Sequence, residues 1–171
     1  MKKKKFNLKV ILVEPSGPIN VGSIARLCSN FGVNELRIVS PQCNVFSLEA
    51  RKMALKGQSY IDNCKIFNTI PEAIFDCDLV LATCGRIDLS NDIECESPEE
   101  ISKWISSFVE INNLGILFGR EDRGLSNNEL LFAHKIFNIK TSKNYPSLNL
   151  SHAVSIICLL YTSPSPRDES T

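Results

Sequence analysis

The chain has 171 residues, 43% hydrophobic and 22% charged, which is close to globular averages and excludes disordered, collagen-like and coiled-coil compositions. Lys plus Arg and Asp plus Glu each number 19, so the formal charge is zero and a uniformly basic nucleic-acid coat is excluded; contact with nucleic acid has to come from a local patch. No apolar run approaches the roughly 20 residues that cross a bilayer, and the basic start MKKKKFNLKV lacks the apolar stretch and cleavage site of a secretory signal, so no membrane partner and a cytoplasmic location are expected.

In chain order, residues 9–13 (KVILV) read as a buried strand followed by the loop EPSGPIN. A helix is expected over 21–31, where Ile24, Leu27, Cys28 and Phe31 recur at helical spacing and Gly32 ends the run. Strand 36–40 follows, then a helix over 48–56 stopped at Gly57, a brief strand at 65–67, a helix over 71–76 with Pro71 in its first turn, and strand 79–83. Residues 87–95 are polar and acidic and read as an exposed loop. Ser97 and Glu100 form a capping box that opens the next helix; strand 114–118 runs into GREDRGLS; Ser126 and Glu129 open a short helix reaching about 133. Strand 135–139, the loop TSKNYPS and a last helix with Leu150, Ala153, Val154, Ile157, Cys158 and Tyr161 on one face complete the domain.

Strands alternating with helices at short spacing imply an α/β fold with a parallel sheet covered by helices on both faces. One domain is expected over residues 1–161. Residues 162–171, rich in Ser, Pro and charge, read as a disordered tail or a non-native extension, with the latter favoured. The seven cysteines are odd in number and lack CxxC spacing, which suits small buried thiols in a reducing compartment. His134 and His152 have no evident ligand partners, and no metal is expected.

Three loops that follow strands, EPSGPINVGSIAR, FGREDRGLS and NYPSLNLSHA, run straight into helices and carry the chemistry-bearing residues. In open α/β sheets ligands bind beyond the carboxyl ends of strands. No GxGxxG is present, and the glycine pair Gly119–Gly124 is followed by Leu125–Ser126 in place of the Lys–Ser/Thr of a phosphate loop. Glu121 and Asp122 would repel phosphate, so a neutral or positive ligand head fits better. At 100° per residue Arg26 points away from the apolar stripe of its helix. Taken singly it is a solvated arginine, and Asn149 and Ser151 are helix caps.

Together the segments Asn20-Val-Gly-Ser-Ile-Ala-Arg26, Phe118-Gly-Arg-Glu-Asp-Arg-Gly-Leu125 and Tyr145-Pro-Ser-Leu-Asn-Leu-Ser-His-Ala153 resemble the three motifs of the SpoU/TrmH class of SPOUT RNA methyltransferases, most closely its TrmJ branch of tRNA ribose methyltransferases. The resemblance spans residues 9–161. It implies a deep C-terminal trefoil knot, an S-adenosylmethionine site built by the knotted loops, and a homodimer with active sites at the interface. Matched residue by residue, it places Thr83, Cys84, Gly85, Gly119, Arg120, Ile139, Pro146, Ser147, Leu148 and Asn149 at the cofactor. Asn20, Arg26, Glu121 and Asn149 fall at the catalytic positions. Cys84–Gly85 stands where a small polar pair is expected.

The implied activity is methyl transfer to the ribose 2′-hydroxyl of a cytidine or uridine in tRNA, at the first nucleotide of the anticodon loop (position 32). Alternatives are an rRNA substrate, a catalytically inactive RNA-binding or ribosome-assembly module of the same fold, and a flavodoxin-like or nicotinamide-binding oxidoreductase. Candidate RNA contacts are Lys2, Lys3, Lys4, Lys5, Arg26, Arg120 and Arg123.

Overall fold

A computed structural model describes residues 6–85 and 93–162. Six parallel strands form one sheet: β1 (Asn7–Val13), β2 (Glu35–Val39), β3 (Lys65–Phe67), β4 (Leu79–Thr83), β5 (Asn113–Phe118) and β6 (Lys135–Phe137), in the order β3-β2-β1-β5-β4-β6. The helices are α1 (Pro18–Phe31), α2 (Leu48–Ala54), α3 (Gln58–Asp62), α4 (Ile70–Ile74), α5 (Pro98–Ser106), α6 (Asn127–Leu130) and α7 (Leu150–Thr162).

Side chains alternate across the sheet with the strand period of two. Leu8, Val10 and Leu12 of β1, with Leu114, Ile116 and Phe118 of β5, belong to the larger core, together with α1, α5 and α7. Ile11, Val13 and Leu117 face a smaller core on the other side, closed by Ile70 and Ala73 of α4 and Leu130 of α6. Both faces are covered, as the alternation implies, but unequally: the second carries only two short helices.

On that thinner face, a buried ion cluster takes part of the helices' place. Arg37, 1% exposed, forks Asp76 at 2.7 and 2.8 Å and reaches Glu35 at 2.9 Å and the Ala73 carbonyl at 2.6 Å. Lys9 and Lys65 pair with Glu35 at 3.2 and 2.8 Å. Desolvation opposes ionisation of Glu35, but hydrogen bonds from Lys65, Arg37 and Lys9 outweigh it and bring its carboxyl to about 2.

Several elements differ from expectation for definable reasons. The first helix starts at Pro18, three residues early, because proline is favoured in a first turn, and Gly32 ends it in the left-handed conformation at φ 64°. The helix expected over 48–56 ends at Ala54. Leu55 turns at φ 50°, and a 3₁₀ turn (Leu55–Gly57) carries Gly57 onto α1, where an added Cβ would lie 2.6 Å from the Ala25 carbonyl oxygen. The helix α3 that follows has no counterpart in the sequence reading. The sixth strand stops at Phe137 rather than residue 139, since Asn138 donates its N–H to Glu96 and its side-chain amide to the Cys84 carbonyl. The helix expected to reach 133 ends at Leu130; the chain turns so that the His134 N–H bonds the Val80 carbonyl. Most of the expected acidic loop 87–95 and all but Thr162 of the expected tail lie outside the described residues.

Candidate cofactor and RNA site

The strand order reverses between β1 and its neighbour β5. From these adjacent strands the chain departs to opposite faces, into α1 on one side and α6 on the other. Such a switch point leaves a crevice at the carboxyl ends of the strands, where α/β proteins bind ligands. Two of the three motif loops begin there.

Glu121 bridges them. Its carboxylate accepts the Ser16 hydroxyl at 2.7 Å, the Ser16 N–H at 3.0 and 3.1 Å, and the Gly17 N–H at 3.4 Å. Helix α1 has no capping side chain of its own at Gly17. A carboxylate 104 residues away in sequence therefore occupies the helix N-terminus, where unpaired amides and the helix dipole favour negative charge. Cys43, in the loop after β2, lies close enough that burial and then the Glu121 charge raise its thiol pKa.

The loop after β5 is a tight turn closed by reciprocal backbone hydrogen bonds between Arg120 and Gly124, at 2.9 and 3.3 Å. A Cβ on Gly119 would come within 2.3 Å of the Gly124 carbonyl carbon and the Leu125 nitrogen, so that position has no room for a side chain; Gly124 sits at φ 67°, a left-handed conformation that favours glycine although the space around it is open. The Arg120 guanidinium bonds Glu129 at 2.7 and 2.9 Å, the Gly124 carbonyl at 3.1 Å, and Glu14. Burial raises the Glu129 carboxyl, but hydrogen bonds from Arg120 and Ser126 hold it below the usual range.

The remaining cofactor candidates are gathered by β4 and β6. Thr83 donates its hydroxyl to the Leu117 carbonyl at 3.3 Å, and the Cys84 N–H donates to Phe137 at 2.9 Å. Gly85 is exposed, with nothing near a notional Cβ. Ile139 and Leu148 are half-buried, while Pro146 and Ser147 are exposed. Asn149 caps α7, accepting the Ser151 N–H at 2.9 Å and its hydroxyl at 2.6 Å. Between Ile139 and Leu148, only Asn144 and Tyr145 give a backbone N–H to a protein group among the described residues. The carbonyls of Ser142 and Pro146 accept from Tyr145 and Thr141, so the segment is held by a few local hydrogen bonds.

Asn20 is half-buried in the first turns of α1. Arg26 is exposed and makes no hydrogen bond or ion pair among the described residues. Its backbone is held from behind: a Cβ on Gly57 would lie 2.7 Å from the Arg26 Cα. Arg26 lies eight residues past Pro18, so its Cα is ~12 Å along α1 from the rim that carries the motif loops. No hydrogen bond or ion pair joins it to Glu121 or Asn149 among the described residues. Of the other RNA candidates, Arg123 is exposed beside Asp122 at 3.5 Å, Arg120 is engaged as above, and Lys2, Lys3, Lys4 and Lys5 lie outside the described residues.

The sequence reading missed Glu14 and Glu129 as partners of Arg120. Helical and strand periodicity carry no signal for a contact spanning 106 residues. It also could not see that His134 accepts the Val80 N–H at 2.9 Å through Nδ1. A groove of about 520 Å³ beside Tyr60, Asn63 and Lys65 opens near the start of β2, at the opposite end of the strands from the motif loops.

Residues 7–159 match the SpoU rRNA Methylase family. The chain belongs to this family. A tRNA (cytidine-2′-O-)-methyltransferase TrmJ from Methanocaldococcus jannaschii is 43% identical over 153 residues, which are 88% of this chain and 65% of that protein. The chain thus spans just under two thirds of that relative's length. The crystal structure of TrmJ from Z. mobilis ZM4 superposes with a TM-score of 0.81 at 30% identity, covering 94% of this chain and 73% of that one. The SpoU methyltransferase AviRb from Streptomyces viridochromogenes, solved with AdoMet, shares the fold at a TM-score of 0.68 and 17% identity, covering 98% of this chain and 60% of that one.

Proposed function

We propose that this chain is the catalytic core of a S-adenosylmethionine-dependent tRNA methyltransferase acting on the ribose 2′-hydroxyl of a cytidine or uridine. The proposed target is the first nucleotide of the anticodon loop. The observation that carries the reading is Arg26: a cation with a fixed backbone and an unengaged head, on a helix whose start is tied by Glu121 to the Gly119–Gly124 turn. Membership of the family and the likeness to TrmJ proteins support it.

S-adenosylmethionine supplies an electrophilic methyl group on a sulfonium leaving group. The chain has to bind it, exclude water and align a ribose oxygen. The backbone N–H groups between Ile139 and Leu148 that bond no protein group among the described residues, with the Ile139 and Leu148 side chains, would hold its adenosine. Thr83, Cys84, Gly85, Gly119, Pro146, Ser147 and Asn149 would line the rest of the site. Arginine stays protonated at any physiological pH and is a poor base. Arg26 serves instead as a clamp on an RNA phosphate or on the alkoxide that develops as the hydroxyl proton departs to that phosphate or to water. Glu121 and Asn149 act by fixing the ends of the helices that carry the other groups.

The displacement of Arg26 from the rim of its own chain supports a homodimer in which one protomer's Arg26 faces its partner's cofactor loops. The exposed Ile156 and Leu159 on α7, the helix that packs against α1, suit such a face. The loop after β6 and α7 form the proposed trefoil knot. A cytoplasmic location follows from the tRNA substrate; among the described residues no helix is long and apolar enough to cross a membrane.

Nucleoside mass spectrometry of tRNA incubated with the protein and S-adenosylmethionine tests the proposal. A 2′-O-methylated cytidine or uridine is expected. Base methylation, or none in the presence of bound cofactor, overturns it.

A further inference from the structure

We propose that Glu14 and Arg120 form a positioning clasp that keeps the start of α1 in register with the Gly119–Gly124 turn, so that Arg120 acts through protein rather than by touching cofactor. This rests on the function proposed above. The two loops diverge to opposite faces of the sheet at the switch point, and among the described residues no regular secondary structure ties them together beyond the β1–β5 ladder. A separate tie is needed if groups on α1 and groups on the turn are to act on one substrate.

The clasp is built from both sides. Arg120 is the central cation, its side chain 13% exposed, with Glu14 at 29% and Glu129 at 18%. Its two terminal nitrogens are divided among Glu14, both oxygens of Glu129 and the Gly124 carbonyl. With these contacts made, the fork of the two terminal nitrogens is already occupied, and only the buried Nε is left without a partner among the described residues. Glu129 is fixed in turn by its capping box with Ser126, at 2.7 and 3.2 Å. The arginine therefore reports the position of α6 and the turn to the residue that follows β1.

Glu14 is the unusual member. It holds φ 48°, a left-handed conformation that non-glycine residues seldom adopt. Such residues persist where their surroundings over-determine them, and they gather at functional sites. Here its N–H is held by the Val39 carbonyl at 2.8 Å, and its carboxylate by Arg120. The turn at Glu14 directs the chain into Pro15, Ser16 and Gly17, and so into the first turn of α1. Glu121 then holds that same entry from the turn side. Two independent carboxylate contacts, one in each direction, join the same pair of loops. Small errors in the approach of reacting groups are costly to transfer chemistry, so such a tie acts on turnover more than on affinity.

The test uses the full chain with Glu14→Ala, Glu14→Gln and Arg120→Lys. Steady-state methyl transfer, thermal melting and amide hydrogen exchange are read on each. Glu14→Ala is expected to lower kcat about tenfold or more with the cofactor KM within about twofold of wild type. Glu14→Gln, which keeps an acceptor for the guanidinium, recovers most of that loss. Arg120→Lys, which keeps the charge without the fork, behaves like Glu14→Ala. Exchange quickens over both 14–19 and 119–124 while β1 and β5 keep their protection. Unchanged kcat, a loss confined to cofactor KM, or quickened exchange at only one loop overturns the clasp. If the wild-type chain transfers no methyl group, the functional reading falls, and the exchange pattern still decides the clasp.

Discussion

The Glu121 carboxylate holds Ser16 by its hydroxyl at 2.7 Å and by its backbone N–H at 3.0 and 3.1 Å. A side chain from the loop after β5 thus does the capping that α1 lacks locally, and one carboxylate joins two motifs. Glu121→Ala is expected to destabilise the chain by roughly 0.5–2 kcal/mol, the range for losing a helix cap. Urea denaturation measures this, and an unchanged midpoint would remove the capping role.

Gly119→Ala is expected to abolish cofactor binding and lower the melting temperature. The added methyl would meet the Gly124–Leu125 backbone at 2.3 Å, and neither partner is a flexible side chain. Isothermal titration with S-adenosylmethionine, beside a melting curve, checks both effects; ordinary affinity in the variant would contradict the packing.

Arg26→Ala is expected to leave folding and cofactor affinity as they are, since the side chain is exposed and without a partner among the described residues. Methyl transfer to tRNA should fall by about 100-fold or more, the scale for removing a preorganised charge from a developing oxyanion. Single-turnover rates at saturating cofactor provide the measurement.

Gly22→Ala is expected to destabilise the domain strongly. A Cβ there would stand 2.3 Å from the Ala50 carbonyl oxygen and 2.8 Å from the Met53 Cβ, so α2 would have to move off α1. An overpacked core contact of this kind costs about 1–3 kcal/mol, sometimes more. A fall in melting temperature larger than that of Glu121→Ala is the outcome to look for.

The ion cluster around Arg37 predicts acid sensitivity. Glu35 is held at about 2 against an ordinary 4.5, and hydrogen bonds from Arg37 hold Asp76 below the usual carboxylate range. Both groups bind fewer protons folded than unfolded, so stability rises with pH across this window. Their contribution is complete above about pH 4.5 and is lost as the pH falls toward about 2. Melting temperature against pH should drop through that interval, and Asp76→Asn should flatten the drop.

The sequence alone determined a good deal of this protein. Apolar runs such as 10–13 and 114–118 specify buried strands, because burial on both faces of a parallel sheet demands continuous apolar residues. The capping boxes Ser97–Glu100 and Ser126–Glu129 form as the spacing implies, because both partners lie within one turn. The three motif loops likewise follow strands, which places them on one rim of the sheet. Tertiary structure decided what spacing cannot encode. It brought Glu121 to Ser16, Arg120 to Glu14, and Gly57 to the backbone of Arg26. It made a paired side chain of one motif arginine, Arg120, and left Arg26 exposed without a partner among the described residues. Local pattern reports which face a residue turns to the core; which distant residue meets it there is set by strand order, here the reversal between β1 and β5.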